Sequence, residues 1–464
     1  MRWTAAVLLL VACGSSEKSD HAASGTPQLT DQNSAEGAAE FELAASPAKA
    51  DFLPGKPANV WSYRDASKPN SVGSVPGPLL EVHQGEHVAV HFRNELPEPT
   101  TIHWHGLRVP NTSDGTPVAQ QPVAPGATFD YEFDANDAGF FWFHPHLQSD
   151  VQIERGLYAP LIVRSTDEPA VDAERILVLD DAKVESSGQL STSTDALDVM
   201  LGRQGNVLLV NGTRKPRYQA FAASHERWRI VNVANGRYFN LSVPGHQLRV
   251  IGWDGGRLPE SYAVDTLLVV PGERYDVLVE LADKPGSVVP LQTVYYDRGH
   301  DIPDQGPLDL VELELGASKP GAALPPTVTP GEFEAISIDA TTAIEHLVLS
   351  ESEDGPEPRF FINEEELPDM THLLGAPGAT VIWEVRNDSE MDHPFHVHGM
   401  FFQVLDVNGV PPTHLGSKDT LNIPKKSTAR LAIRYGESGR WMLHCHILEH
   451  AERGMMGELE LSER

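Results

Sequence analysis

Ten of the chain's twenty histidines stand in four short clusters. They are His103 and His105 in HWH; His144 and His146 in HPH; His393, His396 and His398 in HPFHVH; and His444, His446 and His450 in HCHILEHAERGMM. The last stretch also carries Cys445, one of only two cysteines, and Met455. Imidazole is a neutral nitrogen ligand for transition metals, and thiolate a soft one. On a β-strand, residues i and i+2 face the same side, so each His-X-His presents two imidazoles to one face. Four such pairs supply eight. That is too many for one ion, and it suits a cluster of two or three coppers open to a small molecule.

Parity splits the last cluster. His444 and His446 share a face, and Cys445 points the other way. His393 lies three residues before His396, on the opposite parity, with Pro394 marking a strand start. Cys445 and His393 can therefore meet on the far side, with His450 and Met455 in the loop that follows. Two imidazoles, a thiolate and a weak axial thioether are the donor set of a blue-copper electron-transfer site. Met456 is assigned to packing. Cys445 is bonded through the chain to both His444 and His446, which gives electrons a short covalent path between the two sets.

Positioning these residues requires strands. Pro (36) and Gly (38) are plentiful, which favours a turn-rich β protein, and a hydrophobic content of 40 % is enough for packed cores. Three segments run alternating apolar residues into an asparagine: HVAVHFRNEL to Asn94, RWRIVNVANG to Asn232 and TVIWEVRNDS to Asn387. Each is followed by a turn that opens on proline, a period-two strand, a glycine turn (Gly139, Gly286, Gly439) and another strand. Such alternation, repeated at this length, predicts three tandem Greek-key β-sandwiches in an all-β chain. The expected division is 51–165, 172–316 and 334–464, joined by linkers over 164–174 and the Pro-rich 316–333, with 183–206 a loop of the second unit. The middle unit reads FNLSVPGHQL where the others carry HWHG and HVHG. Its His246 is expected to be structural or exposed, and the unit to hold no copper ligands. His83, His87 and His91 recur every four residues, but Gly85 and the period-two valines favour strands over a helical metal face, so they too are read as exposed or structural.

The four motifs, complete and in order, resemble those of the multicopper oxidases, the laccase-like family of three cupredoxin domains. The resemblance spans the chain from about residue 75 to the end. It implies four coppers: type 1 on His393, Cys445 and His450 with axial Met455; type 2 on His103 and His396; and a type 3 pair on His105, His144, His146, His398, His444 and His446. It further implies a copper-dependent oxidoreductase that takes four single electrons from a donor at type 1 and delivers them to dioxygen at the trinuclear cluster, giving two waters.

Water formation needs four protons, and carboxylates near the cluster are the natural relay. Asp114, in NTSDG, matches a family acid near the type 2 copper; a plain turn aspartate is the alternative. Many bacterial relatives carry an acid directly after the second type 1 histidine, where this chain has Ala451. Glu449 and Glu452 flank that position as substitutes, or are surface charges. Glu390 and Asp392 are read as lying near the donor's approach at the His450 edge, with plain surface as the alternative. Eight methionines without a Met-rich insert favour phenols and aromatic amines as donors, with metal ions (cuprous, ferrous or manganous) second. A copper nitrite reductase would not need the two further HxH pairs, and a non-enzymatic copper-binding relative would be expected to lack ligands.

A formal net charge of −31 argues against nucleic acid as a partner. At the N-terminus, Arg2 and a short apolar run precede Leu10-Val11-Ala12-Cys13, which resembles a bacterial lipobox. The run is too short to span a bilayer. Residues 1–13 therefore read as a lipoprotein-type signal and 14–50 as a flexible tether. The chain is expected to be exported to the periplasm or cell envelope, anchored to a membrane only through lipid on Cys13. Gly14 after the cysteine resembles outer-membrane sorting. Lipid on Cys13 would leave Cys445 as the sole thiol, with no disulfide partner.

Overall fold

The computed structural model describes residues 26–191, 193–318, 328–355, 357–366 and 369–463. Cys13 and the rest of the signal segment lie outside the described residues. Among the described residues, strands form six sheets, two in each third of the chain. The first third has two four-stranded sheets, and each of the others has one of six strands and one of five. Each pair encloses its own apolar core, around Trp104, Trp228 and Trp383 respectively. The alternation explains the burial. In Thr380–Asn387, Val381, Trp383, Val385 and Asn387 turn inward while Arg386 is exposed. Each large apolar side chain buried this way contributes roughly 1.5–3 kcal/mol.

The repeated asparagine has one structural role three times over. Each ends a strand that pairs in parallel with the opening strand of its unit: Ala45 with Asn94, Leu179 with Asn232, Leu349 with Asn387. The buried Asn94 amide donates to the carbonyls of Glu98 and Val123, and its oxygen accepts from Leu96 N. Asn232 makes the same bonds with Arg237, Val269 and Ala234. Asn387 makes them with Met391, Ile423 and Ser389. A buried amide is costly unless it is satisfied, and here it clamps the strand end to the turn that opens the next hairpin.

Two expectations are corrected. The tether does not reach residue 50: Ala38–Leu53 is a long strand of the first sandwich, paired with Lys56–Asp65 and His87–Asn94. Its small alanines hid the alternation, because Ala39, Ala44 and Ala45 are buried where larger apolar residues would be expected. The stretch 183–206 is not only loop. Asp195 opens a short helix, α2 (Ala196–Leu201), through a capping box with Asp198, and this helix packs against α3 (Leu448–Ala451) of the third unit.

Candidate metal centre

The histidine pairs lie on short strands of facing sheets. His103–His105 pairs with Gly139–His144 so that His103 sits opposite His144. In the third unit His396 sits opposite His444, and Phe395 opposite Cys445. This register brings all eight imidazoles of the four pairs together across the junction of the first and third sandwiches. All twelve predicted ligands are buried.

On one side of Gly439–Cys445, Cys445 Sγ is 3.5 Å from His393 Nδ1 and 3.8 Å from His450 Nδ1, and the two nitrogens are 3.3 Å apart. A trigonal ion bonded at about 2.0 Å to nitrogen and 2.3 Å to sulfur requires ligand atoms about 3.5–3.7 Å from one another. The outer ring nitrogens are held as donors: His393 Nε2–H to Ser389 Oγ at 2.7 Å and His450 Nε2–H to the Met200 carbonyl at 3.1 Å. Both Nδ1 lone pairs are thereby free for a metal. Phe360 stacks on the His450 ring at 3.8 Å, and Met455 is fully buried beside the set. Met456 packs with Met442 and Ala451, as expected.

On the other side, His444 Nε2 lies 3.2 Å from His146 Nε2 and 3.1 Å from His398 Nε2. Nδ1–H groups donate at 2.9 Å to backbone carbonyls: His103 to Asp114, His144 to Pro145, His396 to Asp419 and His444 to Cys445. His105 is turned the other way. Its Nε2 is 3.3 Å from Asp419 Oδ1 and from Thr420 Oγ, which leaves Nδ1 to face the cluster. Buried and without a hydrogen-bond partner are His103 Nε2, His105 Nδ1, His144 Nε2, His396 Nε2 and both nitrogens of His446. So many orphaned lone pairs in one place fit bound metal. Burial pushes the ring pKa well below its ordinary value for His105, His144, His146, His398, His446 and His450, to about 3 for His444 and to about 4 for His393. The rings are therefore neutral, the form that ligates.

Of the three candidate relay acids, Asp114 reaches the cluster. Its carboxylate lies 3.2 Å from His398 Nδ1 and 3.3 Å from His103 Nδ1, and it accepts from Thr116 at 2.9 Å. Glu449 and Glu452 are not surface charges. Glu449 accepts from Asn235 Nδ2 at 2.8 Å and Arg203 N at 3.0 Å, and burial pushes its carboxyl up to about 7. Glu452 accepts from Ser149 N, at the start of α1 (Ser149–Gln152). Both tie the domains together.

The structure adds residues that sequence reasoning missed. Asp419 is buried 3.3 Å from His105 and 3.5 Å from His396, and is forked at 2.6 Å and 2.6 Å by Arg274 of the middle domain. Burial acts to raise the Asp419 carboxyl, but the guanidinium outweighs it and holds the group well below the usual range. Next to Arg274, Gly272 has φ +88°, and a Cβ there would lie 2.8 Å from His446. The middle unit thus closes one wall of the cluster through Gly272 and Arg274. Its His246 pairs with Asp283 at 2.9 Å. Asp392 is buried, accepting from Tyr296, Asn422 and Lys425 N. Glu390 is exposed and paired with Lys426. His450 is fully buried, its Nε2 covered by the Met200 carbonyl of α2 and its ring face by Phe360.

Residues 61–168, 181–289 and 334–463 each match a family described as multicopper oxidase. A multicopper oxidase of Staphylococcus epidermidis is 27% identical over 438 residues, covering 91% of this chain and 88% of that protein. A solved multicopper oxidase of Campylobacter jejuni, described as a metallo-oxidase, is 27% identical with a TM-score of 0.82, covering 94% of both chains. A laccase of Pediococcus acidilactici Pa5930 is 31% identical with a TM-score of 0.81, covering 94% of this chain and 93% of that one.

Proposed function

Because the chain belongs to the multicopper oxidase family, copper oxidoreductases that use dioxygen, we propose that it holds four coppers and oxidises phenols or aromatic amines one electron at a time. The type 1 ion is assigned to His393, Cys445 and His450 with axial Met455. Type 2 is assigned to His103 and His396. The type 3 pair divides as His146, His398 and His444 on one ion and His105, His144 and His446 on the other, a division supported by the Nε2 contacts of His444. Bound there, copper supplies one-electron chemistry: four electrons taken singly from the donor reduce one dioxygen, with four protons, to two waters.

The chain's own residues do the rest. Cys445 carries electrons from one set to the other through its backbone bonds to His444 and His446. The Cys445 carbonyl also accepts from His444 Nδ1–H, which adds a short hydrogen-bonded branch. Asp114 and Asp419 orient the rings and stand where protons must be delivered. At the donor side, the path from the surface runs through α2, whose Leu197 is 64% exposed and whose Met200 carbonyl meets His450. A donor that gives up an electron without ligating copper suits this closed edge, and phenols and aromatic amines do so.

The single observation carrying this reading is the placement of Cys445, in a 3.3–3.8 Å trigon on one face while the rings of both sequence neighbours lie in the eight-histidine cluster on the other. A metal-ion donor is the second reading. It is favoured by the acidic stretch ESEDGPEPRFFINEEELPD, which contains the Phe360 stacked on His450. Export with lipid on Cys13 completes the proposal and rests on the N-terminal sequence. The test is dioxygen uptake by the copper-loaded enzyme with phenols, aromatic amines, Cu(I), Fe(II) and Mn(II) compared. Uptake with the metal ions alone would replace the first donor class by the second, and no uptake with any donor would overturn both.

A further inference from the structure

Asp392 is bonded through the chain to His393, a candidate type 1 ligand, and two tyrosines of the middle domain hold its side chain and its carbonyl. Tyr296 donates its hydroxyl to Asp392 Oδ2 at 2.7 Å. Tyr238 shares its hydroxyl between Asn422 Oδ1 at 3.0 Å and the Asp392 carbonyl at 3.2 Å. The carbon of that carbonyl is bonded to His393 N. Asp392 N–H donates in turn to the Arg298 carbonyl at 2.8 Å. The two tyrosine rings are nearly parallel, at 7° with centroids 6.0 Å apart, which is an offset stack. Tyr238 packs on the core that contains Cys445 and Met455. Tyr296 is only partly buried, so part of its ring meets solvent. His450, by contrast, is fully buried beneath Met200 and Phe360. The tyrosines therefore make a bonded connection from the surface to the other type 1 imidazole. Electrons tunnel farther along covalent and hydrogen bonds than across an empty gap, because the decay along bonds is less steep.

We infer, on the type 1 assignment and the aromatic donor class proposed above, that Tyr296 and Tyr238 are a second electron entry, taking the donor at the exposed part of the Tyr296 ring and passing its electron through Asp392 to His393. A flat, electron-rich ring is what this surface selects, because it extends the Tyr238–Tyr296 stack. A phenol stacked there loses one electron and one proton. The electron reduces the type 1 ion from Cu(II) to Cu(I), the proton goes to solvent, and the donor leaves as a phenoxyl radical. Tyr296 touches the donor, whereas Tyr238 and Asp392 are positioning residues. Both tyrosines keep their hydroxyl protons and are not consumed. Asn422 Nδ2 and Lys425 N also donate to the Asp392 carboxylate, at 2.8 Å and 2.9 Å, so removing the Tyr296 hydroxyl leaves that acid held.

The experiment mixes the copper-loaded chain, without dioxygen, with an aromatic amine or with ascorbate, which has no aromatic ring. Bleaching of the blue absorption is followed by stopped flow. Tyr296→Leu removes the stacking face and should raise the amine concentration for half-maximal bleaching about tenfold, with a much smaller change for ascorbate. Tyr296→Phe and Tyr238→Phe keep the rings and lose the bonds to Asp392. Each should lower the limiting rate of bleaching by the amine several-fold at unchanged half-saturation. The blue absorption maximum should stay at the parent's position in all three variants. Bleaching kinetics in Tyr296→Leu equal to the parent's would overturn the entry. So would equal slowing with both reductants and a shifted maximum, which would make the tyrosines braces for His393. A parent that is blue but is not bleached by aromatic amines would instead overturn the proposed donor class, and this entry with it.

Discussion

His450 donates its Nε2–H to the backbone carbonyl of Met200, 3.1 Å away, so a candidate copper ligand of the third domain is fixed and covered by a helix of the second. The cover is held by Gly202, which ends α2 at φ 67° and ψ 137°. A Cβ there would lie 2.4 Å from Ile447 Cγ2, and the conformation strains any residue but glycine by about 1–3 kcal/mol. Gly202→Ala should therefore displace α2. The expected outcome is a lower Tm, retained blue absorption, and a several-fold higher kcat/KM for bulky phenols as the His450 edge opens. Unchanged donor kinetics with a lowered Tm would show that α2 only braces the fold.

Cys445→Ser separates the two metal sets. Serine leaves the eight-histidine cluster intact and removes the soft donor between His393 and His450. Copper content should drop from four to about three per chain, the blue absorption should vanish, and donor-driven dioxygen uptake should fall to background. Four coppers with the colour retained would refute the role of this thiol.

The acids near the cluster differ in what they hold. Asp114 accepts from Thr116 and faces His398 and His103. Asp114→Asn keeps the shape and removes the proton acceptor, so kcat should fall by about 100-fold with the blue absorption unaltered. Arg274 forks Asp419 with two bonds that lysine cannot reproduce. Arg274→Met leaves a buried carboxylate unpaired and should cost about 3–5 kcal/mol, read as a large drop in Tm together with loss of copper from the eight-histidine cluster.

The grouping of the candidate ligands was legible because strand parity is a property of spacing. His-Cys-His states in three letters that two rings face one way and a thiol the other. The asparagine repeat was legible as pattern, and its shared clamp became visible only with the turns in place. Asp419 carried no signal: KDTL is an unremarkable stretch, and the residue reaches His396 only because Thr420 pairs with His396 across strands. Arg274 stands in the middle unit, outside every histidine cluster, and its partner is 145 residues away. The Met200 contact is made by a backbone carbonyl, which no side-chain motif can announce. The first strand was missed because alanine-rich composition imitates a linker, although it packs as a hairpin.

The buried acids at the junction of the first and second domains give a pH dependence of opposite sign to that of a salt-bridged carboxylate. Tyr158 donates its hydroxyl to Asp180, and neighbouring Asp181 accepts from Arg237. Burial, and then the charge of Asp181, push the Asp180 carboxyl up to about 7, from an unfolded value of about 3.9. Between those values the native chain holds a proton that the unfolded chain has released. The group's favourable contribution is thus complete below pH 3.9 or so and is lost as pH rises through about 7. Asp180→Asn keeps a partner for Tyr158 and cannot titrate. Between about pH 5 and pH 7.5, Tm of the copper-loaded variant should fall less than that of the parent, by roughly 2 °C. Parallel Tm curves would show that Asp180 ionises in the fold as it does in the open chain.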